Sequence, residues 1–298
     1  MRYDVTFLSR QLRCAAWLYV PDDLAKGEKA PAIVMAHGFS CVKEQGLDRF
    51  ADRFAAAGFV VLLFDYRYFG QSEGEPRGQL FPCAQIEDYR NALTWLTGHS
   101  QVDPERIGAW GTSFSGGLVL HLSVFDQRVK AVVAQVPSVL NYENCWAGAS
   151  GKEEPFARFL LQDRIARYRT GAVGTLKVVA PEGEPSVLSG QESYEALTAL
   201  GQDAPTWRNG VTVESLEKIR EFDPTRYIQF IAPTPLLIVG AEQDSLIPAP
   251  LVAEAFERAG EPKELLMLPC RHFDLYGVEP WFSRAADAAV GWFGKHLA

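Results

Sequence analysis

A glycine- and serine-rich turn directly after an apolar segment is the feature that most restricts the fold of this 298-residue chain. The apolar segment is residues 106–110, and the turn, residues 111–117, has the sequence GTSFSGG. A strand that turns into a helix within one or two residues strains the residue at the turn, and only small residues fit two positions before and after it. Ser113 occupies the turn, flanked by Gly111 and Ser115. The pattern predicts a nucleophilic serine, although the usual motif, G-x-S-x-G, has glycine where this chain has Ser115.

An ordinary turn that opens a helix has a similar composition, so the interpretation depends on partners for the serine. A serine hydroxyl becomes a nucleophile when a histidine takes its proton, and a carboxylate holds that histidine in the required tautomer. Asp244 follows the predicted strand 235–239, and His272 follows the predicted strand 264–268. Because functional groups of parallel sheets gather at the carboxyl ends of the strands, we expect Ser113, Asp244 and His272 to form a catalytic triad.

The chain contains other histidines and carboxylates that could replace His272 or Asp244. The chain has five histidines, and His272 is the one whose position suits contact with Ser113. His99, His121 and His296 are not placed to reach Ser113, and His37 is expected to hydrogen-bond its own loop, with a direct chemical role as the alternative. Three carboxylates stay open as alternatives to Asp244, namely Glu242, Asp274 and Asp65.

The loop after the apolar run 32–36 is a candidate for binding the negative charge of an acyl-transfer intermediate. It has the sequence HGFS at residues 37–40. One backbone N–H of such an oxyanion hole comes from this loop and the other from the residue after the nucleophile. We therefore expect the amides of Phe39 and Phe114 to be the donors, with Gly38 allowing the backbone to approach the substrate.

Composition excludes several classes of protein. The net charge of −8 and the lack of a basic cluster argue against nucleic-acid binding. The amino-terminal residues do not resemble a signal peptide, and no run approaches the roughly 18 apolar residues of a membrane span, so we expect a cytoplasmic protein. The five cysteines are scattered without metal-binding spacing, and we expect no metal and no organic cofactor. A small-molecule acyl compound is the expected partner, and the sequence leaves open whether the chain forms a homodimer.

Alternation of apolar runs and helical patterns predicts an α/β fold. About eight strands, near residues 4–8, 13–20, 32–36, 60–64, 106–110, 131–136, 235–239 and 264–268, are expected in a mostly parallel sheet flanked by helices. The rhythm breaks over residues 137–232, which carry helical patterns separated by Gly/Pro-rich turns. We call this segment the insertion, and we expect it to be a mainly helical cap on a core of residues 1–136 and 233–298.

Aromatic residues of the insertion are candidates for lining the substrate pocket. They are Tyr142, Trp146, Phe156, Phe159 and Trp207. Aromatic residues at helical spacing also commonly form the core of their own segment, so that alternative stays open.

Together, the HG sequence at residue 37, the serine turn, Asp244 and His272 resemble the α/β-hydrolase fold serine hydrolases, over nearly the whole chain. Residues 65–72 are similar to the D-x-R-x-x-G-x-S segment of esterase and dienelactone-hydrolase-like groups, where it is structural. The serine turn and residues 85–89 resemble bacterial hydrolases related to the fungal polyketide transferases.

The resemblance implies cleavage of a carboxylic ester or thioester of a small molecule through an acyl-enzyme. An acyltransferase or a peptidase/amidase on the same triad is an alternative. A peptidase would need an acidic or hydrogen-bonding anchor for a peptide amine, for which Glu143, Glu153 and Glu154 are candidates. A non-catalytic small-molecule receptor is the alternative of a different class.

Overall fold

Strands made almost entirely of buried residues form the centre of the molecule. The computed structural model describes residues 1–146 and 151–298, without the side chain of Trp146. Its strands are β1 Arg2–Ser9, β2 Leu12–Tyr19, β3 Ala30–Ala36, β4 Val60–Phe64, β5 Val102–Thr112, β6 Val129–Gln135, β7 Thr175–Leu176, β8 Val211–Thr212, β9 Leu236–Ala241 and β10 Lys263–Leu268. Its α-helices are α1 Asp48–Ala56, α2 Pro82–Thr97, α3 Phe114–Phe125, α4 Tyr142–Trp146, α5 Glu153–Thr170, α6 Gln191–Gln202, α7 Val213–Arg220, α8 Ala249–Arg258 and α9 Trp281–His296.

Within the described residues, eight strands form one sheet in the order β1-β2-β4-β3-β5-β6-β9-β10. The pairs β1–β2 and β2–β4 are antiparallel, and the other neighbours are parallel. The α/β fold with a mostly parallel sheet is therefore confirmed. Five residues of β4 and all six of β9 are buried, because strands covered by helices on both faces need apolar side chains on both.

Side chains of the central strands alternate between two apolar layers. Val34 packs in the layer that includes α2 and α3, whereas Ile33 and Met35 pack in the layer that includes α1 and α9. This alternation follows from the two-residue period of a strand. The carboxyl ends of β5, β9 and β10 then lie at one edge of the sheet, where the candidate site residues follow them.

Between β6 and β9 the described residues contain four α-helices, α4 to α7, and a small antiparallel strand pair, β7–β8. The helices α5, α6 and α7 agree closely with the helical patterns of the insertion. The sequence did not predict β7 and β8, because two-residue strands have no recognisable alternation. In the described part of the chain, no helix combines the length and the apolar character needed to cross a bilayer.

The segment 65–72 has a structural role in this chain. Asp65 accepts a hydrogen bond from Nζ of Lys43 at 2.8 Å, and both side chains are buried. A Cβ on Gly70, which has φ +51°, would lie 2.2 Å from this carboxylate, so only glycine fits there. Oγ of Ser72 donates to the Asp65 carbonyl at 2.6 Å. The segment therefore fixes the loop after β4 rather than facing a substrate.

Candidate active site

Ser113 lies at the junction between β5 and α3 in a strained conformation. Its φ of 56° and ψ of −120° are unusual for a residue with a Cβ. The turn closes so tightly that a Cβ on Gly111 would lie 2.4 Å from the carbonyl oxygen of Ser115. A Cβ on Gly117 would lie 2.4 Å from the carbonyl oxygen of Ser138. Glycine at positions 111 and 117 is therefore a steric requirement of this turn.

Ser115, which replaces the usual glycine of the motif, is fully buried and hydrogen-bonded. Its Oγ accepts a hydrogen bond from the hydroxyl of Tyr66 at 3.0 Å and lies 2.6 Å from the hydroxyl of Tyr89. The serine hydroxyl thus satisfies two buried phenols behind the turn.

His272 and Asp244 form a buried hydrogen-bonded pair. Nδ1 of His272 lies 2.6 Å from Oδ2 of Asp244, and their side chains are 1% and 2% exposed. The other carboxylate oxygen, Oδ1, accepts the amides of Leu246 and Ile247, each at 2.8 Å. Asp244 is therefore held rigidly, and it leaves Nε2 of the imidazole as the nitrogen available to a hydroxyl.

The alternative carboxylates are engaged elsewhere or exposed. Asp274 accepts a hydrogen bond from the guanidinium of Arg271 at 3.0 Å, and Asp65 binds Lys43. Glu242 is exposed on the surface. Of these four carboxylates, all in the described residues, Asp244 is the one hydrogen-bonded to His272.

Ser113 lines an apolar cavity of about 280 Å³, to which the loop of Asp244 also contributes. Leu246 and Ile247, whose amides bind Asp244, are part of the same lining. The cavity is therefore bordered both by Ser113 and by the two residues whose amides hold Asp244.

The two residues whose amides are expected to bind an oxyanion line this cavity. Phe39 and Phe114 both line it, and their rings pack edge to face at 5.9 Å. Phe114 is the first residue of α3, and the first N–H groups of a helix have no partner within the helix. A Cβ on Gly38 would lie 3.1 Å from Cβ of Ser113, so the loop that carries Phe39 runs directly beside Ser113.

His37 is a buried neutral residue at the start of the loop that carries Gly38 and Phe39. Burial lowers its pKa to about 4, although the charge of Asp65 opposes the shift. Its Nδ1 lies 3.0 Å from the carbonyl oxygen of Gly38, which requires Nδ1 to carry the hydrogen. Nε2 is then an acceptor and faces the amide of Tyr66 at 3.5 Å. His37 thus braces the loop.

The aromatic candidates for the pocket occupy different places. Tyr142 lines the cavity, whereas Phe156, Phe159 and Trp207 do not. Phe156 packs against Leu160 and the start of α7, and Nε1 of Trp207 donates to the carbonyl of Ser40 at 3.0 Å. The side chain of Trp146 lies outside the described residues.

Aliphatic residues that the sequence did not single out form much of the cavity wall. They include Leu140, Val187, Leu188, Ile219, Leu246 and Ile247. Leu246 and Ile247 could have been inferred from their place beside Asp244. The aliphatic residues of the insertion could not have been inferred, because no sequence motif distinguishes apolar residues that line a cavity from those that form a core.

A strained serine after a central parallel strand, with a buried histidine–carboxylate pair on the following loops, is the arrangement of the α/β-hydrolase fold serine hydrolases. The chain belongs to the X-Pro dipeptidyl-peptidase (S15) family, whose model matches residues 12–274. It is thus a member of an enzyme class that includes esterases, as its sequence predicted.

Individual relatives support this assignment. The quorum-quenching protein AidA of Acinetobacter baumannii is 32% identical over 246 residues, which are 83% of this chain and 80% of AidA. The thiohydrolase aneE of Aspergillus aculeatus is 31% identical over 251 residues, 79% of this chain and 76% of aneE.

A solved structure of a relative also matches. The α/β hydrolase GrgF from Penicillium has a TM-score of 0.85 at 27% identity and covers 100% of this chain and 99% of its own. Since GrgF is named a polyketide transferase, the resemblance to that group is confirmed.

Proposed function

We propose that Ser113, His272 and Asp244 are the triad of a hydrolase that cleaves carboxylic esters or thioesters of small molecules. The observation that carries the proposal is the strained Ser113 in the wall of an apolar cavity whose neighbouring loop binds the His272–Asp244 pair. His272 takes the proton of Ser113, and Oγ attacks the acyl carbon. The amides of Phe39 and Phe114 bind the oxyanion, His272 protonates the leaving group, and water then releases the acyl-enzyme.

The insertion serves in this proposal as a cap over the acyl site. Ser138, Leu140, Val187, Leu188 and Ile219, all from residues 137–232, line the cavity with Ser113. An apolar wall of this kind suits the hydrocarbon part of an acyl group, because burying it removes apolar surface from water. The substrate is therefore an ester or thioester with an apolar acyl group.

Cleavage of esters is favoured over cleavage of peptides, despite the family name. None of the described residues that line the cavity is an aspartate or glutamate. Glu153 is hydrogen-bonded to the hydroxyl of Tyr142, Glu154 pairs with Arg158, and Glu143 is exposed outside the lining. A free peptide amine would thus have no acidic partner beside Ser113.

Acyl transfer is the second candidate, and the apolar cavity favours it. A cavity that excludes water lets an alcohol or thiol acceptor compete for the acyl-enzyme. Transfer and hydrolysis are both represented among the relatives, since one is named a polyketide transferase and another a thiohydrolase.

The deciding experiment measures hydrolysis of p-nitrophenyl esters and of the matching thioesters with two- to eight-carbon acyl chains. Ser113→Ala is expected to abolish turnover and labelling by a fluorophosphonate probe. The exposed Ser245 is a matched control, and Ser245→Ala should leave both unchanged. Turnover by Ser113→Ala at the wild-type rate would refute the triad. Product analysis with an added alcohol separates transfer from hydrolysis.

A cytoplasmic location belongs to the same proposal. All five cysteines are free, and Cys14, Cys41 and Cys270 are buried. Free thiols are typical of proteins from reducing compartments. Burial raises the pKa of the Cys270 thiol to about 11, so this neighbour of His272 stays protonated and competes poorly as a nucleophile.

A further inference from the structure

The hydroxyl of Tyr276 lies beside the nucleophile, and the triad gives it no role. Tyr276 ends the short 3-10 helix that begins at His272, and it is 7% exposed. Its hydroxyl is 3.0 Å from Oγ1 of Thr112, the residue before Ser113. A Cβ on Gly38 would lie 3.1 Å from Cβ of Ser113 and 3.5 Å from this hydroxyl. The phenol, the nucleophile and the oxyanion loop therefore meet at one point.

Donor capacity determines the direction of the hydrogen bonds that end at Tyr276. Nε2 of Gln135 can only donate, and it lies 3.2 Å from Oγ1 of Thr112. Thr112 in turn donates its single hydrogen to the oxygen of Tyr276. The hydrogen of the phenol must therefore go to a third group. A Cβ on Gly38 would lie within 3.5 Å of both the phenol oxygen and Cβ of Ser113, so Oγ of Ser113 is the neighbouring acceptor to which the proposal assigns this hydrogen.

We infer that the O–H of Tyr276 donates to Oγ of Ser113 and stabilises the negative charge that develops on this oxygen during acyl transfer. The inference rests on the proposed function. Two hydrogen bonds upstream polarise the phenol, and a donor to a charged oxygen is stronger than one to a neutral oxygen.

The donor acts in both halves of the reaction without losing its proton. In acylation the proton of Ser113 moves to Nε2 of His272 while Oγ bonds to the acyl carbon, and His272 passes this proton to the leaving group as the bond from that group to the carbon breaks. In deacylation His272 takes a proton from the attacking water, the bond from carbon to Oγ breaks, and His272 passes that proton to Oγ. Burial raises the pKa of Tyr276, so the phenol stays protonated at neutral pH.

The substitution Tyr276→Phe tests the inference, because it removes the hydroxyl and keeps the ring. That ring lies 6.2 Å from the ring of His272 and 5.9 Å from that of Phe273. We expect kcat to fall about 10- to 100-fold while KM stays within about twofold, since the interaction forms fully only as charge develops. The rate of fluorophosphonate labelling should fall in parallel. A kcat and a labelling rate within twofold of wild type would overturn the inference.

Thr112→Val supplies a second test, because Thr112 acts through Tyr276. Alone, it should lower kcat about threefold or more; combined with Tyr276→Phe, it should lower kcat no further. Losses that multiply in the double variant would contradict the proposed relay. If circular dichroism shows that Tyr276→Phe does not fold, the labelling rate of Thr112→Val decides, and an unchanged rate counts against the inference.

The Ser113→Ala control separates failure of this inference from failure of the proposed function. If Ser113→Ala retains activity, the proposed function fails. If Ser113 is essential but Tyr276→Phe is unaffected, only the role of Tyr276 is refuted.

Discussion

Oγ of Ser115 lies 2.6 Å from the hydroxyl of Tyr89, and this contact explains why the turn departs from the G-x-S-x-G motif. The hydrogen bonds run in one direction: Tyr66 donates to Ser115, Ser115 donates to Tyr89, and Tyr89 donates to the carbonyl of Trp110 at 3.0 Å. Glycine in place of Ser115 would interrupt the series between two fully buried phenols. The serine therefore stabilises the support behind the nucleophile.

Ser115→Ala is expected to lower the free energy of unfolding by about 1–3 kcal/mol, because it leaves buried hydroxyls without a partner. Urea denaturation measures the change. In a background with Tyr66→Phe and Tyr89→Phe, the same substitution should cost much less. Equal costs in the two backgrounds would show that the hydroxyl series is not the source of the stability.

Asp244→Asn is expected to reduce kcat by about 10⁴, because the amide no longer holds His272 in the tautomer that accepts the proton of Ser113. The asparagine oxygen can still accept the amides of Leu246 and Ile247, so the loop should remain folded. Steady-state kinetics measures the loss. Glu242→Gln, on the same loop and exposed, is the control and should remain within twofold of wild type. A reversed ranking of the two variants would mean that Glu242 is the acid.

Gly38→Ala is expected to lower kcat by up to about 10², through displacement of the Phe39 amide from the oxyanion position. The new methyl group would lie 3.1 Å from Cβ of Ser113 and 3.4 Å from the carbonyl of Thr112, so Ser113 or the loop must give way by a few tenths of an ångström. Gly291→Ala in α9 meets no atom within 4 Å and should leave kcat unchanged. It should also raise stability by up to about 1 kcal/mol, since alanine favours a helix. Unaltered turnover by Gly38→Ala would argue against this loop as an oxyanion donor.

The buried neutral His37 makes stability depend on pH. Its pKa is lowered from 6.5 to about 4 in the folded protein, so the unfolded chain binds a proton first as the pH falls. The stabilisation is present above pH 6.5 and is lost as the pH falls toward 4. Between pH 7 and pH 5 the loss amounts to about 2 kcal/mol.

His37→Gln isolates the contribution of His37 to the pH dependence of stability. Such a variant is needed because Asp88 changes stability with pH in the opposite direction. Burial raises the pKa of Asp88 to about 6, against the opposing charge of Arg67, so protonation of Asp88 adds stability below that pH. Denaturation curves at pH 7 and pH 5 should show a larger loss of stability for wild type than for His37→Gln. Identical pH dependence in both proteins would mean that His37 is not held neutral.

The sequence was sufficient to predict the strands of the sheet and to select Asp244 and His272 as hydrogen-bonding partners. Continuous apolar runs such as 60–64 and 235–239 could be recognised as strands because strands buried on both faces have no polar alternation. The chain order of Ser113, Asp244 and His272 was enough to select two residues that the structure brings within hydrogen-bond distance, Asp244 and His272.

The residues of the cavity wall and the hydrogen bonds behind the turn could not be predicted from the sequence. Val187 and Leu188 are ordinary aliphatic residues, and only their position over Ser113 distinguishes them from core residues. The contact between Ser115 and Tyr89 joins two helices that are adjacent in space rather than in sequence. Such contacts depend on how helices and strands pack together, and local sequence patterns do not predict that packing.

Much of the cavity wall and the proposed reacting groups come from different stretches of the chain. Tyr142, Val187, Leu188 and Ile219 belong to the insertion, whereas Ser113 and the His272–Asp244 pair follow strands of the sheet. Mutations that reshape the insertion can therefore change which compounds fit while the reacting groups keep their alignment. Related proteins can therefore acquire new substrates through substitutions in the insertion alone, without an inactive intermediate.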